Sequence, residues 1–440
     1  MSAHEAAIAS IRFGLGPRPG ELAHVETDPR GWLAAQIRNP EPEPAALAGL
    51  APGRVRMAEL QQAVRSGAGA LQKAIQAEFR EVYRTEAAAR TRAQIETEVP
   101  FRERLVAFWS NHFTVSVQRP PVLHLAGAFE REAIRPHIGG RFVDMLMAVA
   151  RHPAMLVYLD NAISVGPNSI AGQRRNRGLN ENLAREILEL HTLGVNGGYG
   201  QDDVRAFAKI LTGWSVTRIE DGSPGHFRFN PRIHEPGPKT LLGVQFGDAG
   251  EEEGMRAFGM LAHHPATARH IATKLARHFI ADNPPAAAID RLVRIYRDTE
   301  GDLGILSLAL IEAPEAWETP LGKVKNANDY VVSVARAIAF DGDPLKLLGS
   351  LRVLGQAPFA APSPAGWPDT AQDWVGPESV LRRAEWAYAV ARRVTRPPRD
   401  TLAAAIGPLV AEATVDAVEL APSATDGLAL VFASPEFQRR

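Results

Sequence analysis

The chain has 440 residues, 45% of them apolar, with 49 Lys plus Arg against 50 Asp plus Glu. That length exceeds what one hydrophobic core usually serves, so two or three packed lobes are expected, and the apolar content excludes a disordered chain. A net charge of −1 argues against nucleic acid or an anionic membrane as partner, and the absence of cysteine excludes disulfides, thiolate nucleophiles and Cys-ligated zinc.

The opening, MSAHEAAIASIRFGLGPRPGE, lacks a basic segment followed by an apolar run and does not read as a secretory leader. The chain as written is expected to be cytoplasmic; an export leader trimmed from the start would make it periplasmic or exported. No stretch approaches the ~18 apolar residues of a membrane-spanning helix, so no membrane partner is expected. Gly14, Gly16 and Gly20 imitate a dinucleotide fingerprint, but their spacing is one residue too long and a helix precedes them instead of a strand. Residues 39–53, NPEPEPAALAGLAPG, read as a linker closing an N-terminal helical segment over 1–53.

A central lobe is expected over 54–250 and a C-terminal lobe over 251–440 packed on it, together a mainly α, multi-helical array. Apolar residues three and four apart predict helices over 57–97, 101–112, 122–135, 141–151, 180–193, 202–212, 252–262 and 266–280. Further ones follow over 287–298, 303–312, 326–340, 378–396, 400–412 and 424–433. Strand signals are short, at Thr114–Val117, His226–Phe229 and Thr240–Val244. The last two flank a Pro- and Gly-rich loop and predict at most a small hairpin near 226–244. Irregular stretches fall at 163–179, 215–250 and 355–377; Trp367 and Trp374 in the last are expected to pack on the helical body.

Residues able to carry chemistry follow the same order. His112 ends a helix bearing Leu105, Val106, Phe108 and Trp109, so it is expected to face inward as a metal ligand, a general base or a core imidazole bonded to a carbonyl. Asp160 and Asn161 end RHPAMLVYLDN beside the polar 163–179 loop, as substrate-binding groups or as a simple turn. Over 180–193, Asn180 reads as the N-cap and Gly194 as a left-handed terminator. At about 100° per residue Asn182, Glu186 and Glu189 fall on one line beside Leu183, Ile187 and Leu190, with His191 turned away. That line is either a carboxylate pair for metal binding or acid–base work, or a solvated face paired with arginine.

In IHEPGPKTLLG, Pro236 and Pro238 hold His234 and Lys239 in a rigid loop, the first a candidate metal ligand and the second a candidate substrate contact. His270, Lys274 and His278 share a helix face with no interleaved carboxylate, which reads as a basic solvated or interface face. Lys323 and Lys325 stand at a helix entrance, placed to meet an anion or water. There is no HExxH, GxSxG or Walker A motif.

The order RFGLGPRPGE, FWSNHFTVS, REAIRPH, ARHPAM, YLDN, NENLAREILELHTLGVNGGYGQDDV, LTGW, HEPGPKTLLG, HPATARHIATKLARHF, GWPDTAQDW and ASPEFQRR is similar to the bacterial domain-of-unknown-function 1800 family, from about residue 9 to 440. The resemblance implies a largely helical fold, no established reaction, and a sulfatase-like protein encoded beside many members as a possible partner. It also implies frequent export signals, and this sequence departs from that in showing none. It supplies no catalytic assignment.

Three functions are therefore weighed. The first is a metal-assisted hydrolase: His112, Glu186, Glu189 and His234 hold a divalent metal, Glu186, Glu189 and His112 act catalytically, and Asn182, Asp160, Asn161 and Lys239 bind substrate. The second is a non-catalytic scaffold for a small-molecule or saccharide ligand or the sulfatase-like partner, with Glu186 and Glu189 tied to Arg174, Arg175, Arg177 or Arg185. The third is a purely structural protein.

Overall fold

Helix-start chemistry and apolar periodicity set the architecture. Proline opens the Pro100–His112, Pro265–Phe279 and Pro377–Ala391 helices, where its missing N–H would have no helical partner anyway. Asp28, Asp302, Asn326 and Ser423 cap other helices by accepting the backbone N–H three residues on. His152 and His264 do the same with a ring nitrogen, each Nδ1 accepting an N–H at 3.1 Å from the residue after the following proline. The outcome, in a computed structural model describing residues 3–39, 43–66, 69–175 and 178–440, is a mainly helical fold. It has 62% helix and 19 helices of seven or more residues among the described residues. The helix expected over 57–97 is two, Gly53–Ser66 and Gly69–Glu96, and residues 40–42 of the expected linker lie outside the described residues.

The main apolar core draws on residues from Ala6 to Ala316. Within it Phe13 lies edge-on to Phe101, ring centroids 5.7 Å apart, and stacks on Phe279 at 5.9 Å. Burying each such ring contributes about 1.5–3 kcal/mol. A second core gathers Tyr330, Trp386, Phe432 and Phe437 near the C-terminus. Buried arginines tie the N-terminal glycine stretch to both: Arg104 Nε donates to Gly14 O and Arg336 Nε to Gly16 O, each at 2.6 Å. The glycines thus form an arginine-receiving turn. Gly16 has φ +89°, and a Cβ there would stand 2.9 Å from Ser333 Oγ, so both conformation and space exclude a side chain.

Among the described residues the strands form two antiparallel pairs, β1 (Trp214–Val216) with β2 (Phe227–Phe229) and β3 (Lys239–Leu241) with β4 (Val244–Phe246). The pairing differs from the hairpin expected between 226–229 and 240–244. Leu242 and Gly243, at φ 49° and 76°, make a two-residue turn that closes β3 on β4 instead. A leucine is costly there, and Asp203 Oδ1 holds it by accepting its N–H at 2.7 Å. Thr114–Val117 forms no strand; the Val117 N–H reaches Phe359 O at 2.8 Å inside a loop contact. Trp374 is buried and Trp367 packs beside it, as expected of the 355–377 stretch. No helix among the described residues is long and apolar enough to cross a membrane.

Candidate functional site

The 180–193 segment folds as an α-helix, Asn182–Glu186, that widens into a π turn over Ile187–His191. Asn180 Oδ1 accepts the Asn182 N–H at 2.9 Å, and Gly194 is left-handed at φ 82°. The last carbonyls of a helix lack partners within it. Here Leu190 O accepts from His270 Nε2 at 2.9 Å, and His191 O from His112 Nε2 at 3.1 Å. His112 is therefore a neutral imidazole donating to a carbonyl. Burial, then Lys274 and the neighbouring imidazoles, push its pKa well below the usual range. The His191 and His270 rings each lie 6.0 Å from it. Burial, then Lys274, takes His191 down to about 3 and His270 to about 4. Neither ring nitrogen of His191 has a hydrogen-bond partner among the described residues.

Glu186 and Glu189 are half-buried and Asn182 is exposed. Neither carboxylate is ion-paired among the described residues; Arg185 turns to Glu181 at 3.0 Å instead. The side chains of Arg175 and Arg177 lie outside the described residues. Burial and the Glu189 charge raise the Glu186 pKa, and the Tyr199 hydroxyl bonds to Glu189. Asp160, at φ 60°, is ion-paired with Arg119. Asn161 is buried, its Nδ2 donating to Leu211 O at 3.1 Å and Trp214 O at 2.9 Å. Both are engaged within the fold.

His234, Asp248 and Glu253 each bring a ligand atom within 4.8 Å of the others and could hold a metal ion. No other group of three such residues forms among the described residues, so the expected set of His112, Glu186, Glu189 and His234 is not assembled. The reason is anchorage. His234 Nδ1 lies 2.7 Å from Thr212 O at the end of the Gln201–Leu211 helix, which turns the ring toward the Glu251–Ala262 helix and away from the motif. Lys239 occupies the same cradle. Its Nζ is 2.9 Å from Glu253 Oε2, 3.1 Å from Oε1 and 3.2 Å from His234 Nε2. With the Nδ1 hydrogen given to Thr212, Nε2 accepts from the ammonium. Glu253, with no exposure at all, also accepts the Ala249 N–H at 2.9 Å. The position a cation would take carries an ammonium.

A cleft of about 340 Å³ opens elsewhere, between the Pro100–His112 and Pro265–Phe279 helices and the 355–374 stretch. Asn111 clamps that stretch, its Nδ2 donating to Trp367 O at 2.9 Å and its Oδ1 accepting the Trp367 N–H at 2.7 Å. Phe108, Phe359 and Trp367 give the cleft apolar walls. Below them lies a charge network. Asp329 accepts from Arg104 Nη1 at 2.9 Å and faces Arg440 Nε at 3.2 Å. Burial alone would raise its pKa, but the two guanidiniums hold it at about 2. Asp369 meets His278 Nδ1 at 2.8 Å, Arg440 Nη2 at 3.3 Å and Lys323 Nζ at 3.6 Å. Against burial, the His278 contact and the Arg440 and Lys323 charges hold its carboxyl far below the usual range.

Lys274 lines the same cleft and makes no hydrogen bond or ion pair among the described residues. Burial and then Arg277 pull its pKa down to about 8, against the opposing pull of Asp369. Of the face expected to be a basic solvated or interface one, His278 is buried and His270 and Lys274 are half-buried. A signal for it was present: Lys274 and His278 continue the stripe of buried Thr267 and Ile271 on that helix. Lys323 does meet an anion, Asp282, at 2.6 Å. Asp329, Asp369 and Arg440 left no such trace, because their partners come from distant parts of the chain.

The chain belongs to the DUF1800 family, proteins of unknown function, whose model it matches over residues 8–439. No curated protein and no solved structure matches it.

Proposed function

We propose that the cleft binds a small organic anion, a carboxylate or a group of like charge and size. The observation that carries this is Lys274, the one cation lining the cleft that has no partner among the described residues. Every other is engaged: Arg90 with Glu130, Arg104 with Gly14 O and Asp329, Arg277 with Asp282 O, His112 with His191 O and His278 with Asp369. A half-buried ammonium whose nearby carboxylate, Asp369, is shared among His278, Arg440 and Lys323 is incompletely balanced, and an anionic ligand would relieve it. Arg104, which also lines the cleft, has a buried Nη2 with no acceptor among the described residues. The aromatic walls suit the organic part of such a molecule. Calorimetry and thermal shift with mono- and dicarboxylates and phosphate test the reading. Saturable stabilisation lost in Lys274→Met supports it; no anion response, or one unchanged in that variant, overturns it.

Metal-assisted hydrolysis is the second reading, favoured by the convergence of His234, Asp248 and Glu253 within 4.8 Å. A divalent ion there would lower the pKa of a bound water for attack. It would first have to displace the Lys239 ammonium. Elemental analysis of purified protein decides: stoichiometric metal that disappears in Glu253→Gln supports it, and a metal-free protein indifferent to added Zn²⁺ or Mn²⁺ removes it.

A further inference from the structure

We propose that Lys274 forms an imine with a small carbonyl acid, a 2-oxo or aldehydic carboxylate, held in the cleft; this rests on the anion-binding reading and adds a covalent step to it.

The choice of residue is the first argument. Of the 49 basic residues only seven are lysine, at 73, 209, 239, 274, 323, 325 and 346, so 42 are arginine. Arginine fills even fully buried cationic positions such as Arg12, Arg104, Arg336 and Arg440. It cannot lose its proton near neutrality, whereas lysine can. Among the interior lysines, Lys239 and Lys323 are ion-paired and Lys325 lies over the Phe437 ring at 4.4 Å. Lys274 alone of these four combines a cleft position with the lack of any bonded partner.

Its surroundings are the second argument. Asp369 favours the protonated form of Lys274 but is already shared among His278, Arg440 and Lys323, and burial outweighs its pull. Arg277 opposes the ammonium, and the neighbouring His112, His191 and His270 are neutral and offer it no countercharge. With the amine brought to about 8, roughly a tenth is unprotonated at neutral pH, several-hundredfold more than for an ordinary lysine. A lysine desolvated beside another cation is the form in which this side chain attacks carbonyl carbon.

The step balances without an oxidant or reductant. The Nζ lone pair forms the C–N bond and the carbonyl oxygen becomes a hydroxyl. That hydroxyl leaves as water while C=N forms, and both hydrogens of the amine depart in that water.

Glyoxylate or pyruvate with cyanoborohydride, followed by peptide mapping of the full chain, tests the proposal. An adduct forming at Lys274 at least about tenfold faster than at exposed Lys346 is expected. Lys274→Arg should keep stabilisation by carboxylates and lose the adduct; Lys274→Met should lose both. Carboxylate stabilisation without preferential labelling of Lys274 overturns the imine and leaves the anion-binding reading standing. No stabilisation by any anion overturns both. Equal labelling rates with acetaldehyde and glyoxylate overturn the assignment to carbonyl acids.

Discussion

Two interior lysines meet very different surroundings. Lys239 sits in the hairpin cradle with Glu253 and His234 at 2.9–3.2 Å, each partner fixed in turn by backbone groups. Lys274 stands in the cleft with no hydrogen bond or ion pair among the described residues, near imidazoles that are themselves neutral. The cradle is electrically complete and has no need of a further ion. The cleft is incomplete. A cluster rich in metal-binding residue types can thus be a closed structural element, while a face that looks merely basic can be the reactive one.

The largest effects should separate the two lysines. Glu253→Gln leaves the Lys239 ammonium buried without a countercharge and should lower unfolding free energy by about 3–5 kcal/mol in urea titrations. Lys274→Met breaks no bond and should change stability by less than about 1 kcal/mol. If the two variants fall equally, Lys274 is not free in the sense argued above. Lys239→Met sharpens the same comparison: by emptying the ammonium position it should destabilise the protein and create a response to Zn²⁺ that the parent lacks. A parent protein that gains as much from zinc as this variant would show that the ammonium does not occupy the cation's place.

Acid should attack the cleft side of the molecule first. The folded-state pKa values of His191, His270 and His278 lie at about 3 to 4, below the unfolded value of about 6.5. Protons therefore bind the unfolded chain first as pH falls. The stabilising contribution is full above about 6.5 and is lost progressively down through the folded-state values. For the fully buried His191 this amounts to up to about 2 kcal/mol at pH 5. Hydrogen exchange at pH 5 should rise in 187–194 and 265–279 before it rises in 234–253. His191→Leu should flatten the dependence of Tm on pH by one proton and leave stability at pH 7 unchanged or higher, because it removes a buried ring with no partner. His112→Leu should lose about 1 kcal/mol, since it strips the His191 carbonyl of its donor.

The helical architecture was largely legible because its signals are local. Pro100, Pro265 and Pro377 start helices for steric reasons, and Gly194 ends one by taking a conformation other residues avoid. The candidate site was much less so. His191 turns away from the carboxylate line, as expected, and is an inward residue of the same cluster as His112, but the π turn at 187–191 adds a residue to one helical turn and leaves Leu190, expected on the apolar stripe, only half-buried. Hairpin closure depended on Leu242 adopting a positive φ, a choice that a leucine does not announce. The pairing of Arg104 with Asp329 spans 225 positions, and nothing in either local sequence specifies the other. His234 was legible as a ligand-type residue, but Asp248 and Glu253 join it only through the fold of the hairpin.

The smallest effect concerns the motif carboxylates, which belong to neither lysine's surroundings. Glu186 has its pKa raised by burial and by Glu189, the reverse of what an ion-paired carboxylate shows. A raised folded-state pKa means that stability is greatest when the group is protonated and is lost as pH rises through the unfolded value near 4.3. Glu186→Gln should therefore stabilise the protein at pH 7 by a few tenths of a kcal/mol, and the gain should vanish at pH 4. A loss at pH 7 would mean that the carboxylate has a cationic partner in solution. Because Lys239 closes the cradle and no arginine among the described residues closes this pair, a saturable loss on adding divalent metal to Glu186→Gln relative to the parent would move the cation-binding role from His234 to Glu186 and Glu189.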